Sequence, residues 1–440
     1  MLTIYLPVEI ISRELMARAF LATSLANNEH KIYVFEHTFF DRNGWIDSGV
    51  YIGKNCFRTE VPYEKSFYNN MKRSGIDLWY LDEEGGIYVG DKHSWKERLA
   101  YRLNPNDLDK NDKILTWGNW QKGVFESKSP AALTLVSGIP NFDIMQTKYQ
   151  NSLLEWDLKV TGGRRDFILI NTRFSLGNSK NGISQMFDLD QPYSKNLPEL
   201  YLEYVCISDN KMMFDIIELC IFLARSLPDE KIIIRPHPGE NKEIYQTLTK
   251  KLKNITVIFE GGVESWIRMS KVLIHNGCTT AIQAIIAKKN VITYMPCTLS
   301  QVEMDHTPEL PNTIGRIAHT YEDVLLGINK DDVDDRGTWK DTISRIDSIE
   351  FISKLANNHM IQQSKDGGRA VYSSTRLFIY EKMKDIIGMV ANYINTDREK
   401  KSFDYKEFSK IVDLVDVANN VYKSNVKCKK ISNGCYCIHK

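Results

Sequence analysis

The sequence has no excess of charge of either sign. Its 57 Lys and Arg residues face 56 Asp and Glu residues over 440 positions, a formal balance of +1. Binding to nucleic acid depends on clustered positive charge, and so does binding to an anionic membrane surface. The balance therefore gives no reason to expect a nucleic-acid partner, and it leaves only local patches for peripheral association with a membrane.

Long apolar runs are also missing. No stretch reaches the roughly 20 residues of a membrane span, and the opening segment contains Glu9 and lacks the positively charged leader of a signal peptide. The eight cysteines are scattered along the chain, five of them isolated in apolar or strand-like surroundings. A disulfide framework has a different pattern. These absences predict a reduced protein of the cytoplasm, with the inner face of the membrane as a second possible location.

Several catalytic motifs do not occur. There is no GxGxxG after the first predicted strand, no P-loop, no HExxH and no GxSxG, so nicotinamide chemistry, nucleotide hydrolysis and the common hydrolases have no motif support. Asp188 and Asp190 match the letters of the DxD motif of metal-dependent glycosyltransferases, but they lie in a polar loop. We therefore predict no metal site and no required cofactor.

Apolar strands and amphipathic helices alternate along the chain in two cycles. The first cycle opens with a βαβ pattern whose helix begins at Ser12 as a cap, and the second follows the turn at 161–166. Beyond residue 340 the pattern is helical and charged, most clearly at 375–394. A chain of this length is too long for one core. We therefore predict an α/β protein of two Rossmann-like, doubly wound domains facing a cleft, with an acceptor-side domain at 1–160, a donor domain at 161–340 and a C-terminal helical extension at 341–440.

The segment Arg235 to Glu240, RPHPGE, directly follows a predicted strand of the second domain. Ligands of doubly wound domains bind beyond the carboxyl ends of strands. Arg235 could form a bidentate contact with phosphate, and His237 could donate to a phosphate or leaving group, with Pro236 and Pro238 stiffening the turn. The alternative is a loop histidine that only shapes the turn.

The segment HNGCTTAIQA also follows a predicted strand and opens a helix. Asn276 and Gly277 form the turn, and Thr279 and Thr280 stand at the predicted helix start. Backbone amides and hydroxyls at a helix start suit a phosphate, although threonine is also an ordinary helix cap. We expect this loop and the RPHP loop to lie at neighbouring positions of one sheet and to bind one phosphate together.

An acidic loop, LDEEGG, ends a predicted strand of the first domain. Asp82, Glu83 and Glu84 could each act as a general base toward an acceptor hydroxyl, or as a nucleophile in a double displacement. The alternative is that the three carboxylates are merely solvated at a turn.

Four further positions are candidates for the site. Glu264 could accept hydrogen bonds from ribose hydroxyls, or it could be a favourable charge at a helix start. Asn171, Arg173 and Gly138 lie in strand-end loops and could line the cleft. The tail, with Cys428, Cys435, Cys437 and His439, could ligate zinc, but without a second well-spaced pair a flexible tail is favoured.

The ordered segments SRELMARAFLA, LDEEGG, ILTWGNWQ, VSGIPNFD, ILINTRFS, IIRPHPGE and HNGCTTAIQA resemble the bacterial surface carbohydrate biosynthesis proteins, over residues 12 to 284. That resemblance implies a GT-B glycosyltransferase. The acidic loop, the HP pair and the Thr pair are also similar to motifs of bacterial sialyltransferases. This second resemblance implies a catalytic carboxylate at Asp82 or Glu83, with His237, Thr279 and Thr280 on the phosphate of CMP. Here Thr-Thr replaces the usual serines, and inversion or retention stays open.

Together these observations predict a transferase that uses a CMP-activated sugar, a 3-deoxy-ulosonic acid such as a nonulosonate or Kdo, and a glycan or lipid-linked glycan acceptor. A transferase of UDP-sugars or CDP-polyols is the alternative within enzymes. A non-catalytic assembly protein of the same pathway is the alternative outside them.

Overall fold

The computed structural model describes residues 1–54, 62–81, 83, 95–96, 99, 103, 107–127, 132–182, 200–296, 300–305, 307–330, 339–365 and 403–440. The chain divides into two compact units, each built on its own sheet. The first comprises Met1–Glu83, Ala100–Ile144 and Ile343–Lys440, and the second Glu84–Leu99 and Met145–Thr342.

The first unit contains an eight-stranded sheet. Its strands are β1 Thr3–Val8, β2 Lys31–Glu36, β3 Gly49–Gly53, β4 Ile76–Leu81, β5 Lys113–Thr116, β6 Leu133–Val136, β13 Lys427–Ser432 and β14 Cys435–His439. Its described helices are α1 Ile11–Asn27, α2 Phe39–Asn43, α3 Pro62–Arg73, α4 Asn119–Glu126, α5 Pro140–Asp143, α15 Ser348–Lys365, α16 Tyr405–Phe408 and α17 Ile411–Tyr422.

The strand order of this sheet is β13-β14-β2-β1-β3-β4-β5-β6. Strands β1 to β6 are parallel to one another, and β14 pairs with β2 in the antiparallel sense. All six residues of β1 are buried, which matches a central parallel strand covered on both faces. Chain order reverses between β1 and β3, so the loops after these strands flank a natural ligand crevice.

The C-terminal residues complete the first unit. Helix α17 packs against α1, and β14 adds to the sheet through pairs such as Cys437 with Tyr33. The sequence pattern predicted a separate helical extension, whereas the described end of the chain is a helix pair followed by a β-hairpin. The segment 375–394 lies outside the described residues. The start of α1 also differs from the prediction, because Glu14 accepts from the backbone N–H groups of Glu9 and Ile10 and Ser12 is not the cap.

The second unit contains a six-stranded sheet that is parallel throughout. Its strands are β7 Phe167–Asn171, β8 Ile232–Arg235, β9 Ile255–Val257, β10 Ser270–His275, β11 Asn290–Tyr294 and β12 Arg316–Ala318. Its described helices are α6 Thr147–Thr161, α7 Tyr201–Ser226, α8 Glu243–Thr249, α9 Val263–Met269, α10 Thr280–Ile286, α11 Gln301–Asp305, α12 Glu309–Asn312, α13 Tyr321–Ile328 and α14 Trp339–Thr342.

The strand order of the second sheet is β12-β11-β10-β7-β8-β9. Counted along the chain, this is the 3-2-1-4-5-6 order of a dinucleotide-binding Rossmann fold, and the order reverses between β7 and β10. Apolar residues of β7, β8, β10 and α7 form the core of one face. Both units are therefore doubly wound, and the predicted α/β fold class is confirmed.

No helix in the described ranges combines the length and the apolar character of a membrane span.

Candidate functional site

Three loops lie at the carboxyl ends of neighbouring strands of the second sheet. Residues 172–180 follow β7, residues 236–242 follow β8 and residues 276–279 follow β10. We call these loops the switch edge, because β7 and β10 flank the reversal of strand order. The RPHP and CTT loops were expected at neighbouring strands. In the structure they follow β8 and β10, and β7 lies between these two strands. Residues at the end of β7 contact both loops.

Gly277 makes the turn after β10. Its φ is +65°, a left-handed conformation that favours glycine. A Cβ atom at this position would lie 2.5 Å from Nε of Arg173 and 3.0 Å from Cδ of Pro308. The backbone N–H of Gly277 donates to Oδ1 of Asn312 at 2.6 Å. Glycine is therefore required both for the turn and for the close approach of Arg173.

Thr280 begins α10, as predicted, and it is tied to the end of β7. Asn171 donates through Nδ2 to the Thr280 hydroxyl at 2.9 Å, and that hydroxyl donates to Sγ of Cys278 at 3.0 Å. Thr279, at the cap position, makes no side-chain cap hydrogen bond. Because a thiol sulfur is a weak acceptor, the Thr280 hydroxyl could turn to a stronger anionic acceptor at little cost.

Arg173 brings a positive charge to the switch edge. Its Nη1 donates to Oδ1 of Asp209 at 2.6 Å, and its Nη2 donates to Oδ1 of Asn276 at 3.4 Å. Asn276 in turn donates to the carbonyl of Tyr294 at 2.9 Å. Within the described part of the chain, Nε of Arg173 is buried and has no hydrogen-bond partner. The guanidinium is thus held between α7 and β10 with one donor still unused.

His275, the last residue of β10, is buried and neutral. Burial, together with the charge of Arg173, lowers the pKa of His275 to about 3. Its Nε2 lies 2.9 Å from the Thr293 hydroxyl, which donates to the carbonyl of Ile314, and its Nδ1 accepts from the backbone N–H of Cys278 at 3.4 Å. The ring therefore carries its proton on Nε2 and supports the turn without adding charge.

Glu240 joins the loop after β8 to the loop after β7. Its Oε1 accepts from the Thr172 hydroxyl at 2.7 Å and from the backbone N–H groups of Phe174 and His237 at 3.0 and 2.9 Å. Its Oε2 accepts from the hydroxyl of Tyr245. Burial raises the pKa of Glu240, and these hydrogen bonds oppose that effect. One buried carboxyl group thereby fixes the backbone on which His237 is carried.

His237 and Pro238 are exposed on this loop. Nδ1 of His237 accepts from the backbone N–H of Gly239 at 3.1 Å. In the neutral ring the proton is therefore on Nε2, the nitrogen that could donate to a ligand.

Arg235 does not present a fork to a ligand. The residue is buried, and its Nη1 and Nη2 donate to the carbonyls of Glu260 and Gly261, each at 2.9 Å. Its guanidinium lies 5.3 Å from the ring centroid of Trp266. Burial lowers the pKa of Arg235 to about 10. The predicted bidentate phosphate contact is replaced here by a structural clamp on the loop after β9.

Glu264 is buried in the first turn of α9, only 1% exposed. Burial raises its pKa to about 7, although the charges of Arg268 and Arg235 oppose the shift. A contact with ribose hydroxyls was predicted for this carboxyl group. In the structure it lies inside the unit, so such a contact would require movement of α9.

Of the three acidic-loop candidates, Glu83 is described, whereas Asp82 and Glu84 lie outside the described residues. Glu83 is buried, and its Oε2 accepts from Nη2 of Arg18 at 3.1 Å. Burial raises the pKa of Glu83, and Arg18 is the largest opposing influence. The first unit therefore holds a carboxyl group in a buried ion pair, not a solvated one.

Gly138 follows β6 in the first unit and packs internally. It adopts φ of +68°, and a Cβ atom there would lie 3.0 Å from the carbonyl oxygen of Ile346. Gly138 therefore packs against the segment before α15, and this packing explains why the residue is glycine. The prediction was that it lines the cleft.

The cysteine-containing tail forms the hairpin of β13 and β14, in which Cys435 and Cys437 are buried. Among the described residues, no group of three or more His, Cys, Asp and Glu side chains is placed to hold a metal ion. Asp188 and Asp190 lie outside the described residues. The tail is thus part of the first sheet, in contrast to the flexible tail predicted.

Sequence reasoning missed three side chains that organise these places: Asp209, Glu240 and Arg18. Asp209 lies within a long helix and Arg18 within an apolar helical pattern, so neither follows a strand. An ionisable residue in an otherwise apolar helical face was the available signal. Glu240 was part of the RPHPGE segment, but nothing in the sequence indicated that its carboxyl group points inward.

No family model matches the chain, and no curated protein matches its sequence. Among solved structures, the UDP-GlcNAc 2-epimerase of Neisseria meningitidis, bound to UDP-GlcNAc, matches with 12% identity and a TM-score of 0.45, over 82% of this chain and 99% of that one. The Methanocaldococcus jannaschii enzyme matches with 13% identity and a TM-score of 0.44, over 81% and 99%. Anabaena HepE, in complex with UDP-glucose, matches with 10% identity and a TM-score of 0.36, over 83% and 100%. Similarity at this level concerns the general chain path and says nothing about what this chain binds.

Proposed function

We propose that the protein is a glycosyltransferase of surface polysaccharide biosynthesis that transfers a 3-deoxy-ulosonic acid from a CMP-activated donor to a glycan acceptor. One observation carries the proposal. The switch edge brings together the guanidinium of Arg173, the helix start at Thr280 and the tight turn at Gly277, at the reversal of strand order. A cation, hydroxyls and backbone amides at such a point are the groups that bind a phosphate.

The phosphate of the donor would contact the guanidinium of Arg173 and the hydroxyls of Thr279 and Thr280. His237 would donate from Nε2 to the phosphate or to the leaving oxygen, since its Nδ1 already accepts from Gly239. The choice of CMP rests on the resemblance of the acidic loop, the HP pair and the Thr pair to those of sialyltransferases. UDP is the alternative nucleotide, and a binding test separates the two.

Glu83 would act as the general base in the first unit. In that step the acceptor hydroxyl oxygen bonds to the anomeric carbon, CMP leaves with the bonding electron pair, and the hydroxyl proton passes to Glu83. The side chain of Glu83 is 0% exposed in its ion pair with Arg18, so this proton transfer would require the acidic loop to move away from Arg18.

The first test is a thermal shift screen with CMP, UDP, CDP and GDP. We expect CMP to stabilise the protein most, by about 2.7 kcal/mol at a concentration 100 times the Kd, or a rise of roughly 5–10 °C in Tm for a unit of this size. His237→Ala should weaken CMP binding at least tenfold, as expected for loss of a charge-assisted hydrogen bond worth about 1.5 kcal/mol or more. The exposed His319 of the same unit supplies the control variant, His319→Ala.

The second test is turnover. Wild-type protein should release CMP from a CMP-sugar in the presence of an acceptor, and Glu83→Gln should abolish release while CMP still raises Tm. A shift with UDP and none with CMP would replace the donor in the proposal. No shift with any nucleotide would refute the proposal as a whole.

A further inference from the structure

Three neighbouring strands of the first sheet are each followed by a polar residue at the carboxyl edge. Glu9 follows β1, His37 follows β2 and Lys54 follows β3, and the strands are ordered β2-β1-β3 in the sheet. We call these three residues the strand-end row. The chain order reverses between β1 and β3, which is where a doubly wound unit offers a crevice to a ligand. Adjacent strands lie about 4.8 Å apart, so one sugar can reach neighbouring members of the row.

The strand-end row is open to solvent, in contrast to the charges behind it. The side chain of Glu9 is 37% exposed and that of His37 is 34% exposed. The side chain of Lys54 is 10% exposed, whereas Glu14, in the first turn of α1, is 1% exposed. The charged groups that a ligand can reach therefore lie at the strand ends.

Glu9 and His37 leave the sheet side by side. The residues before them, Val8 and Glu36, are paired in the register of β1 and β2, and the backbone N–H of His37 donates to the carbonyl of Val8 at 3.1 Å. The backbone N–H of Glu9 donates to Oε2 of Glu14 at 2.7 Å. Both residues are thus fixed by hydrogen bonds to the body of the unit, as a preorganised binding site requires.

Lys54 brings a positive charge next to Glu9. Its Nζ lies 3.1 Å from Oε2 of Glu9 and 3.7 Å from Oε1 of Glu14. The preceding residue, Gly53, comes so close to β1 that a Cβ atom there would lie 2.6 Å from Cγ of Pro7. This close approach of β3 to β1 sets a carboxylate and an ammonium group beside each other.

A carboxylate beside an ammonium group suits two adjacent hydroxyl groups. The carboxylate only accepts hydrogen bonds and the ammonium group only donates them, whereas a hydroxyl does both. One hydroxyl can therefore donate to Glu9 while its neighbour accepts from Lys54. An anionic ligand would be repelled by Glu9, and an apolar one would take both charges out of water without replacing its hydrogen bonds. A neutral ligand rich in hydroxyl groups fits best.

We propose that the strand-end row binds the acceptor sugar, with two adjacent hydroxyl groups on Glu9 and Lys54 and a third hydroxyl on His37. This inference rests on the proposed function and names the class of acceptor, a neutral sugar with adjacent free hydroxyl groups. Burial raises the pKa of Glu83, and the charge of Lys54 is among those that oppose this effect. The row therefore lies near the carboxyl group proposed as the base.

The probes are the methyl glycosides of galactose, glucose and N-acetylglucosamine, titrated into the full-length protein without nucleotide and followed by saturation-transfer NMR. We expect wild type to bind at least one of them. Glu9→Gln and Lys54→Met should each raise its Kd about tenfold or more, as for loss of a hydrogen bond to a charged group, and His37→Ala about threefold. Glu29→Gln, an exposed change between α1 and β2, is the matched control and should bind as wild type does.

Deoxy analogues of the bound glycoside, each lacking one hydroxyl, test the contact with Glu9. One analogue should bind wild type about tenfold more weakly, and Glu9→Gln should weaken its binding no further, because that hydrogen bond is already absent. The Tm of each variant without ligand shows that it is folded, and Glu9→Gln should keep the Tm of wild type because the residue is exposed.

The inference is wrong if no glycoside binds, if Glu9→Gln and Lys54→Met leave the Kd unchanged, or if the effects of variant and analogue add for every hydroxyl. Nucleotide binding is scored separately by thermal shift. Glycoside binding that depends on Glu9 in a protein that binds no nucleotide would refute the transferase and keep the sugar site. Nucleotide binding without glycoside binding would do the reverse.

Discussion

The buried carboxyl group of Glu264 should make the second unit less stable as pH rises. The residue opens α9 and is 1% exposed, and burial raises its pKa from an ordinary 4.5 to about 7. Arg268 and Arg235 stand nearby but do not offset the burial. Replacing this residue by the neutral isostere, in Glu264→Gln, removes the titration while keeping the size of the side chain.

The sign follows from proton binding. Between pH 4.5 and 7 the folded state holds a proton on Glu264 that the unfolded chain has released, so the free energy of unfolding falls as pH rises. The stabilising protonation is fully present below pH 4.5 and lost as pH passes 7. Each pH unit of that window is worth about 1.4 kcal/mol, so ionisation costs the folded unit about 3 kcal/mol by pH 8.

Urea denaturation of wild type and Glu264→Gln, followed by tryptophan fluorescence at pH values from 4.5 to 8, measures the difference directly. The variant should gain about 3 kcal/mol relative to wild type across this range, while Glu243→Gln, an exposed change in the same unit, serves as the matched control. Parallel stability profiles for wild type and Glu264→Gln would show that the carboxyl group is not held neutral in the fold.

Two further changes test the packing of the second unit. Gly277→Ala should destabilise the unit by about 1–3 kcal/mol, because the residue has φ of +65° and a Cβ atom there would lie 2.5 Å from Nε of Arg173. Differential scanning calorimetry measures this loss of stability. CMP should no longer raise the Tm of the variant, and an unchanged response to CMP would argue against a role for this turn. Asp157→Asn should lower the free energy of unfolding by about 3–5 kcal/mol, since Arg268 donates to both carboxylate oxygens of Asp157, at 2.7 and 2.8 Å, inside the fold. The double change Asp157→Leu with Arg268→Met should recover part of that loss. Equal destabilisation by the single and the double variant would contradict the pairing.

The alternation of strands and helices follows from the pattern of apolar and polar residues in the sequence. The strand Phe167–Asn171 begins with the continuous apolar run FILI, and its extent follows from composition because a central parallel strand is buried on both faces. Gly277 and the helix start at Thr280 were also readable, since turn and cap residues act locally. Strands β12 and β13 were not predicted: β12 has three residues, and the residues of β13 are mostly exposed and polar. Both are edge strands, and β12 pairs with β11 while β13 pairs with β14, the next strand along the chain.

Which charged groups are buried, and what they contact, depends on the tertiary structure. Arg235 is the last residue of β8, and its guanidinium points to the carbonyls of Glu260 and Gly261. Arg18 lies among apolar residues of α1, and nothing in that pattern identifies its partner Glu83, which is 65 positions away. Residue type and spacing indicate that a strand end can bind an anion. The direction of a side chain depends on partners that the strand order brings together, and the local sequence pattern does not specify that order.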